Sequence, residues 1–215
     1  MYEGGEGRLY SWPMMATWTD FLTPFDELPA ETKEIYNYDV TTAKSLLAAA
    51  GYATGFNTSI YIPWSFPRDF TELIVSYWAK IGVKCDIQVA ELAQWNAVTF
   101  GGAWDKMVMA NSGQSYPATN LMYFLTGSPY NYAADPDPTY QNNVMSILME
   151  WDMNKKVQLI KDTSTYLLTK CWYLAMPTEN LYTFWQPWVK GYHGEESLGT
   201  MNSGGVWARI WVTKH

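Results

Sequence analysis

Histidine, cysteine, serine and carboxylate side chains turn over substrates and hold metals, and in this sequence they stand apart. His193 sits in the glycine-flanked turn Gly191-Tyr192-His193-Gly194 and His215 is the last residue, so neither reads as the base of a nucleophile pair. Asp135-Pro136-Asp137-Pro138 offers two carboxylates in a proline-bounded extended segment, but no third ligand is near in sequence, and no metal site is expected. Cys85 and Cys171 have no C-x-x-C spacing and are read as unpaired thiols, with burial their usual fate. Glu195-Glu196 and the acids scattered along the helices read as solvated faces. A glycosidase pair of carboxylates, whose members come from anywhere in a chain, has no positive signal and stays open as an alternative. No G-x-G-x-x-G follows a strand, and neither G-x-x-x-x-G-K-[ST] nor G-x-S-x-G occurs, so no nucleotide cofactor or nucleophile elbow is implied. The chain reads as a binder without a cofactor, not an enzyme.

The residues suited to binding are polar and aromatic. Asn111-Ser112-Gly113-Gln114-Ser115-Tyr116-Pro117 is a small polar loop. The chain also carries 12 Trp, 16 Tyr and 8 Phe, flat faces that can fill a core or line a pocket. Trp64 and Trp104 are the candidates for such a pocket. Each assignment has a local alternative: Ser112, Gln114 and Ser115 as caps of the following helix, Tyr116 as core, Trp64 and Trp104 as packing.

Positioning that loop requires a sheet. Asp39 as N-cap, Ala43, Leu46, Leu47 and Ala50 at helical spacing, and Gly51 as a left-handed stop predict a short amphipathic helix. A strand follows over 58–62, a helix from Arg68 to Ile81 stopped by Gly82, a strand over 83–89, and a helix over 90–100 carrying Leu92 and Trp95. Lys106 to Ala110 is apolar enough to predict a central third strand. Strand and helix alternating in this order predict an α/β fold with a mostly parallel sheet flanked by helices. The polar loop then leaves the carboxyl end of the third strand, where open α/β sheets bind ligands. Helices from about Tyr140 to Trp151 and Asn154 to Trp172, the second capped by Asp152, predict a hairpin. Residues 181–185 read as strand and 206–212 as a final apolar stretch.

Composition narrows the partners. Net charge is −7 and the 14 Lys and Arg are scattered, which argues against nucleic acid. No run approaches the length of a membrane-spanning helix, and the first residues lack the pattern of a signal peptide.

The residues also carry a family likeness. Tyr38-Asp39, Ala43-Lys44, Leu46-Leu47, Ala50-Gly51-Tyr52 and Gly55-Phe56 resemble the Y-D-x-x-x-A-K-x-L-L-x-x-A-G-Y-x-x-G-F signature of the family 5 bacterial solute-binding proteins of ABC importers. Ala79-Lys80-Ile81-Gly82-Val83-Lys84, Trp104-Asp105, Ser115-Tyr116-Pro117 and Pro187-Trp188-Val189-Lys190-Gly191-Tyr192 resemble that family's later motifs in order. The resemblance implies a periplasmic-binding-protein type II lobe that captures a small solute, of the peptide or oligosaccharide class, and delivers it to ABC permease subunits in the membrane. It places the protein on the periplasmic or extracellular face, with lipid anchoring left open.

Gly4-Gly5-Glu6-Gly7 resembles a segment near the middle of a longer chain, implying a carboxy-terminal lobe fragment. Residues 1–37 would be an irregular connecting segment, 38–180 the ligand-binding lobe, and 181–215 terminal strands crossing back toward another lobe. Glu179 and Asn180 fall near where the family brings a strand residue to its pocket. Ser115 stands where peptide receptors of the family carry the acid that pairs with the ligand amine. A neutral hydroxyl there cannot make that charge-assisted bond, which argues against a free-amine peptide.

Overall fold

A computed structural model describes residues 12–14, 18–102, 106–109, 116–128, 131, 137–174, 176, 183–194 and 204–213. They fall into two compact units, one within Arg8–Pro177 and one within Thr178–His215.

The larger unit opens with material that the sequence reading took as irregular. Two 3-10 turns, Thr19–Phe21 and Phe25–Glu27, precede helix α1, Ala30–Glu34. Pieces of three to five residues are too short to show a helical period. They nevertheless deliver Leu28 and Thr32 to buried positions, as Met14 is just before them. Helix α2, Val40–Ala49, begins as predicted: Asp39 accepts hydrogen bonds from Thr41 N (2.9 Å) and Thr42 N (3.0 Å). It stops at Gly51, whose φ of +91° suits glycine. Its apolar stripe is not buried, however, and Leu46 is 66% exposed.

Strand β1 runs Phe56–Pro63, helix α3 Arg68–Ala79, strand β2 Val83–Ala90, helix α4 Leu92–Phe100 and strand β3 Met107–Val108. The strands form one parallel sheet in the order β2-β1-β3, with Phe56 opposite Val83, Pro63 opposite Ala90 and Ile60 opposite Met107. The two crossovers run in opposite directions along the sheet, which for right-handed connections puts α3 and α4 on opposite faces. Among the described residues β1 is the central strand and β3 is paired on one side only, where the apolar run at 106–110 suggested a central strand. Ser59, Ile60 and Ile62 of β1 are buried, while Met107 and Val108, the two described strand residues of that run, are half-exposed.

Helix α5, Pro117–Met122, helix α6, Pro138–Met149, and helix α7, Met153–Thr169, complete the unit. Helices α6 and α7 pack as the predicted hairpin, with Asp152 capping α7 through Asn154 N (2.9 Å). Helix α6 starts two residues before its predicted first turn, because Pro138 occupies the first helical position and Asp137 is the cap. Tyr140, Val144 and Ile147 form its buried stripe against Met14, Ala118, Leu121, Phe124, Ile160 and Leu167.

In the smaller unit, strand β4, Val189–Lys190, pairs antiparallel with strand β5, Trp211–Val212, after the short helix α8, Gly204–Trp207. The strand predicted at 181–185 is not found in its described part, and residues 181 and 182 lie outside the described residues. Of the two thiols, both unpaired, Cys85 is half-buried and Cys171 exposed where burial was expected.

Candidate functional site

Three parallel strands that end together form a rim at their carboxyl ends. Strand β1 ends at Pro63, β2 at Ala90 and β3 at Val108. Each ladder is carried one step further: Trp64 N donates to Ala90 O (2.8 Å) and Met109 N donates to Tyr61 O (2.9 Å). The first bond fixes the backbone of Trp64 on the rim, and its side chain is 60% exposed. Beyond it the chain turns, with Phe66 N donating to Pro63 O (2.9 Å), and Phe66 stands 6.3 Å from Phe70.

Tyr116 lies at the far end of the loop that leaves β3. It is the N-cap residue of α5, in extended conformation, with Pro117 as the first helical residue. Its ring is 40% exposed and meets Phe21 edge-on at 6.3 Å. Trp64 and Tyr116 are thus rim and surface aromatics, not core. Asn111, Ser112, Gly113, Gln114, Ser115, Trp104, Glu179 and Asn180 lie outside the described residues.

Buried polar groups without a hydrogen-bond partner among the described residues include Tyr61 Oη, Trp95 Nε1 and Asn120 Oδ1. Tyr61 is on the carboxyl half of β1, Trp95 on α4, and Asn120 in the helix that follows the loop. From the sequence Trp95 is placed on its helix with no role of its own, and Asn120 carries no signal. A lone carboxamide in a six-residue helix has no periodicity to betray it.

The strongest ionic cluster belongs to the α6–α7 hairpin. Asp137 accepts from Tyr140 N (2.8 Å) and Tyr166 Oη (3.0 Å), and pairs with Lys170 Nζ at 2.8 Å. Burial pushes its carboxyl up, but the bonds from Lys170, Tyr140 and Tyr166 outweigh burial and hold it below the ordinary carboxylate range. Tyr166 and Lys170 tie Asp137 to α7 while Tyr140 N is capped within α6, so this carboxylate, read in sequence only as part of a proline-bounded pair, is a structural clasp of the hairpin. Among the described residues, no three His, Cys, Asp or Glu side chains gather to hold a metal. None of the described helices is long and apolar enough to cross a membrane.

A mostly parallel sheet flanked by helices, with exposed aromatics at its carboxyl rim, has the architecture of a periplasmic binding protein type II lobe. The comparison with known proteins agrees. The profile of the bacterial extracellular solute-binding proteins, family 5 Middle, matches residues 1–133, more than half of the chain, and the chain belongs to that family.

Heme-binding protein A of Haemophilus influenzae is 35% identical over 99 residues, covering 43% of this chain and 18% of its own. The dipeptide-binding protein of Escherichia coli is 24% identical over 171 residues, covering 73% of this chain and 31% of its own. Among solved structures, the ABC transporter-associated periplasmic binding protein DppA from Helicobacter pylori, in complex with the peptide STSA, superposes with a TM-score of 0.73. It covers 98% of this chain and 40% of its own at 22% identity, a likeness of fold. This chain therefore spans less than half the length of each of these relatives.

Proposed function

We propose that this chain is part of the substrate-binding component of an ABC import system, capturing a small solute outside the cytoplasmic membrane and delivering it to permease subunits. The observation that carries the reading is the carboxyl rim of the parallel sheet, where Trp64 presents an exposed face. In this reading the solute is held by Asn111, Ser112, Gly113, Gln114, Ser115 and Tyr116 of the β3 loop, by Trp64 and Trp104, and by Glu179 and Asn180. It is bound and released without chemistry.

A peptide is the first solute class, supported by the dipeptide-binding relative. Ser115 argues that its amine is not paired with an acid at that position, which keeps oligosaccharide as a further class. The match to a heme-binding protein at 35% identity favours a second reading, in which flat aromatic faces receive a planar ligand.

The test is a thermal-shift screen of the intact protein that carries this chain, against peptides, oligosaccharides and heme. A ligand at about 100 times its Kd stabilises the native state by about 2.7 kcal/mol, a clear rise in Tm. A saturable rise with one class identifies the solute. Silence across all three classes, or saturable turnover of chromogenic glycosides, overturns the reading.

A further inference from the structure

Among the described residues, Asn120 is a buried carboxamide where most of the other buried polar side chains are Ser and Thr hydroxyls. Several of these bond within their own helix: Thr99 Oγ1 donates to Trp95 O (2.8 Å) and Ser164 Oγ to Ile160 O (2.7 Å). Asn120, 0% exposed, does something different. Its side-chain nitrogen donates to the carbonyl of Pro13, more than a hundred residues earlier in the chain, while its Oδ1 has no donor among the described residues. A carboxamide with its acceptor unmet, beside Met14 and Leu121, contributes little net stability compared with an apolar side chain of that size. What it does provide is a fixed register between two segments.

Those two segments carry Tyr116 between them. Helix α5 begins immediately after Tyr116, whose carbonyl accepts from Asn120 N (3.0 Å). The ring of Phe21 meets the Tyr116 ring. On its other side α5 is held by Tyr140 Oη, which donates to Leu121 O at 2.7 Å.

We infer that Asn120 is a positioning residue for solute recognition: by clasping the Pro13 carbonyl it fixes the start of α5, and so sets the place of Tyr116, whose ring meets Phe21. The inference rests on the solute-binding reading for its function, but the clasp itself is read without any ligand.

The experiment compares Asn120→Ala with Phe21→Leu, which leaves the buried amide in place, and with Ile147→Val, a core truncation away from the clasp. Hydrogen exchange is followed across the intact protein, together with Tm and the affinity for whichever of a dipeptide panel, an oligosaccharide panel or heme binds the wild type. Asn120→Ala is expected to speed exchange at residues 116–122 about tenfold or more while β1 and β2 hold, and to weaken affinity about tenfold, the equivalent of one net hydrogen bond. Phe21→Leu is expected to weaken affinity in the same direction with normal folding. Ile147→Val is expected to lower Tm without either local effect.

Uniform acceleration of exchange in Asn120→Ala overturns the inference, as does local loosening with affinity within twofold of wild type. Should Asn120→Ala fail to fold, unchanged affinity in Phe21→Leu overturns it. If no probe binds the wild type, it is the solute reading that fails, and the exchange pattern alone decides whether Asn120 holds the 116–122 segment.

Discussion

Gly55 and Gly82 make a tight backbone crossing where β1 and β2 begin, so the cost of adding a methyl group there follows from geometry. Gly55 has φ +76°, and a Cβ on it would stand 2.0 Å from the carbonyl oxygen of Gly82 and 2.5 Å from its carbonyl carbon. Both obstacles are backbone and cannot rotate aside. The segments must part until that contact reaches about 3.4 Å, next to the first rung of the sheet, Phe56 opposite Val83.

A left-handed conformation costs an L side chain about 1–2 kcal/mol, and opening a backbone rung adds about 1–3 kcal/mol, so Gly55→Ala is expected to cost about 3 kcal/mol. Gly82 shares the conformational cost at φ +88°, but its added Cβ comes no closer than 3.3 Å, to Gly55 Cα. Gly82→Ala is expected to cost about 1–2 kcal/mol. In a domain of this size that corresponds to a fall in Tm of about 6–12 °C for Gly55→Ala and about 2–8 °C for Gly82→Ala. Thermal melts and urea titrations followed by circular dichroism measure both. A Gly82→Ala loss equal to or larger than that of Gly55→Ala would refute the crossing as the source of the cost.

Three further outcomes are expected. Trp64→Ala removes an exposed side chain, so stability changes by less than about 0.5 kcal/mol while solute affinity falls about tenfold or more; calorimetric titration showing unchanged affinity would remove Trp64 from the site. Cys171 has φ +50° just beyond the end of α7, and Cys171→Gly should raise stability by up to about 1 kcal/mol; a lower Tm would show that its side chain matters more than its backbone. Asp137 is depressed in the fold despite its burial, so its contribution is present above the ordinary carboxylate pKa and lost as pH falls through its lower folded value. Asp137→Asn should therefore be less stable than wild type near neutrality, the gap closing below about pH 4. A gap independent of pH would place the loss in the changed side chain and not in its charge.

The sheet of this unit was legible in the sequence because its cues were redundant. Thr58 to Ile62 combined β-branched and aromatic residues with a closing proline, and Asp39, Gly51 and Gly82 mark real helix ends. Legibility failed where an element was too short to show its own period. The turns at 19–34 looked irregular, β3 looked central because hydrophobicity does not count hydrogen-bonding partners, and the apolar text at 206–212 divides between a helical turn and a strand.

Of the candidate site residues, Trp64 and Tyr116 could be placed because each adjoins a proline at the end of a recognisable element. Asn120 was not legible, since its importance lies in a bond to Pro13 that only the folded chain creates. The role of Asp137 as a cap was hidden by the prolines on either side, which suggested an extended segment more strongly than a helix start.

The central claim, that the carboxyl rim of the sheet receives the solute, is tested most directly by hydrogen exchange of the intact protein with and without the solute that the thermal screen identifies. The account predicts protection concentrated at residues 63–66, 90–92 and 109–117, with little change at the opposite ends of β1 and β2, near Phe56 and Val83. Protection centred on those opposite ends, or on the α6–α7 hairpin, would contradict it.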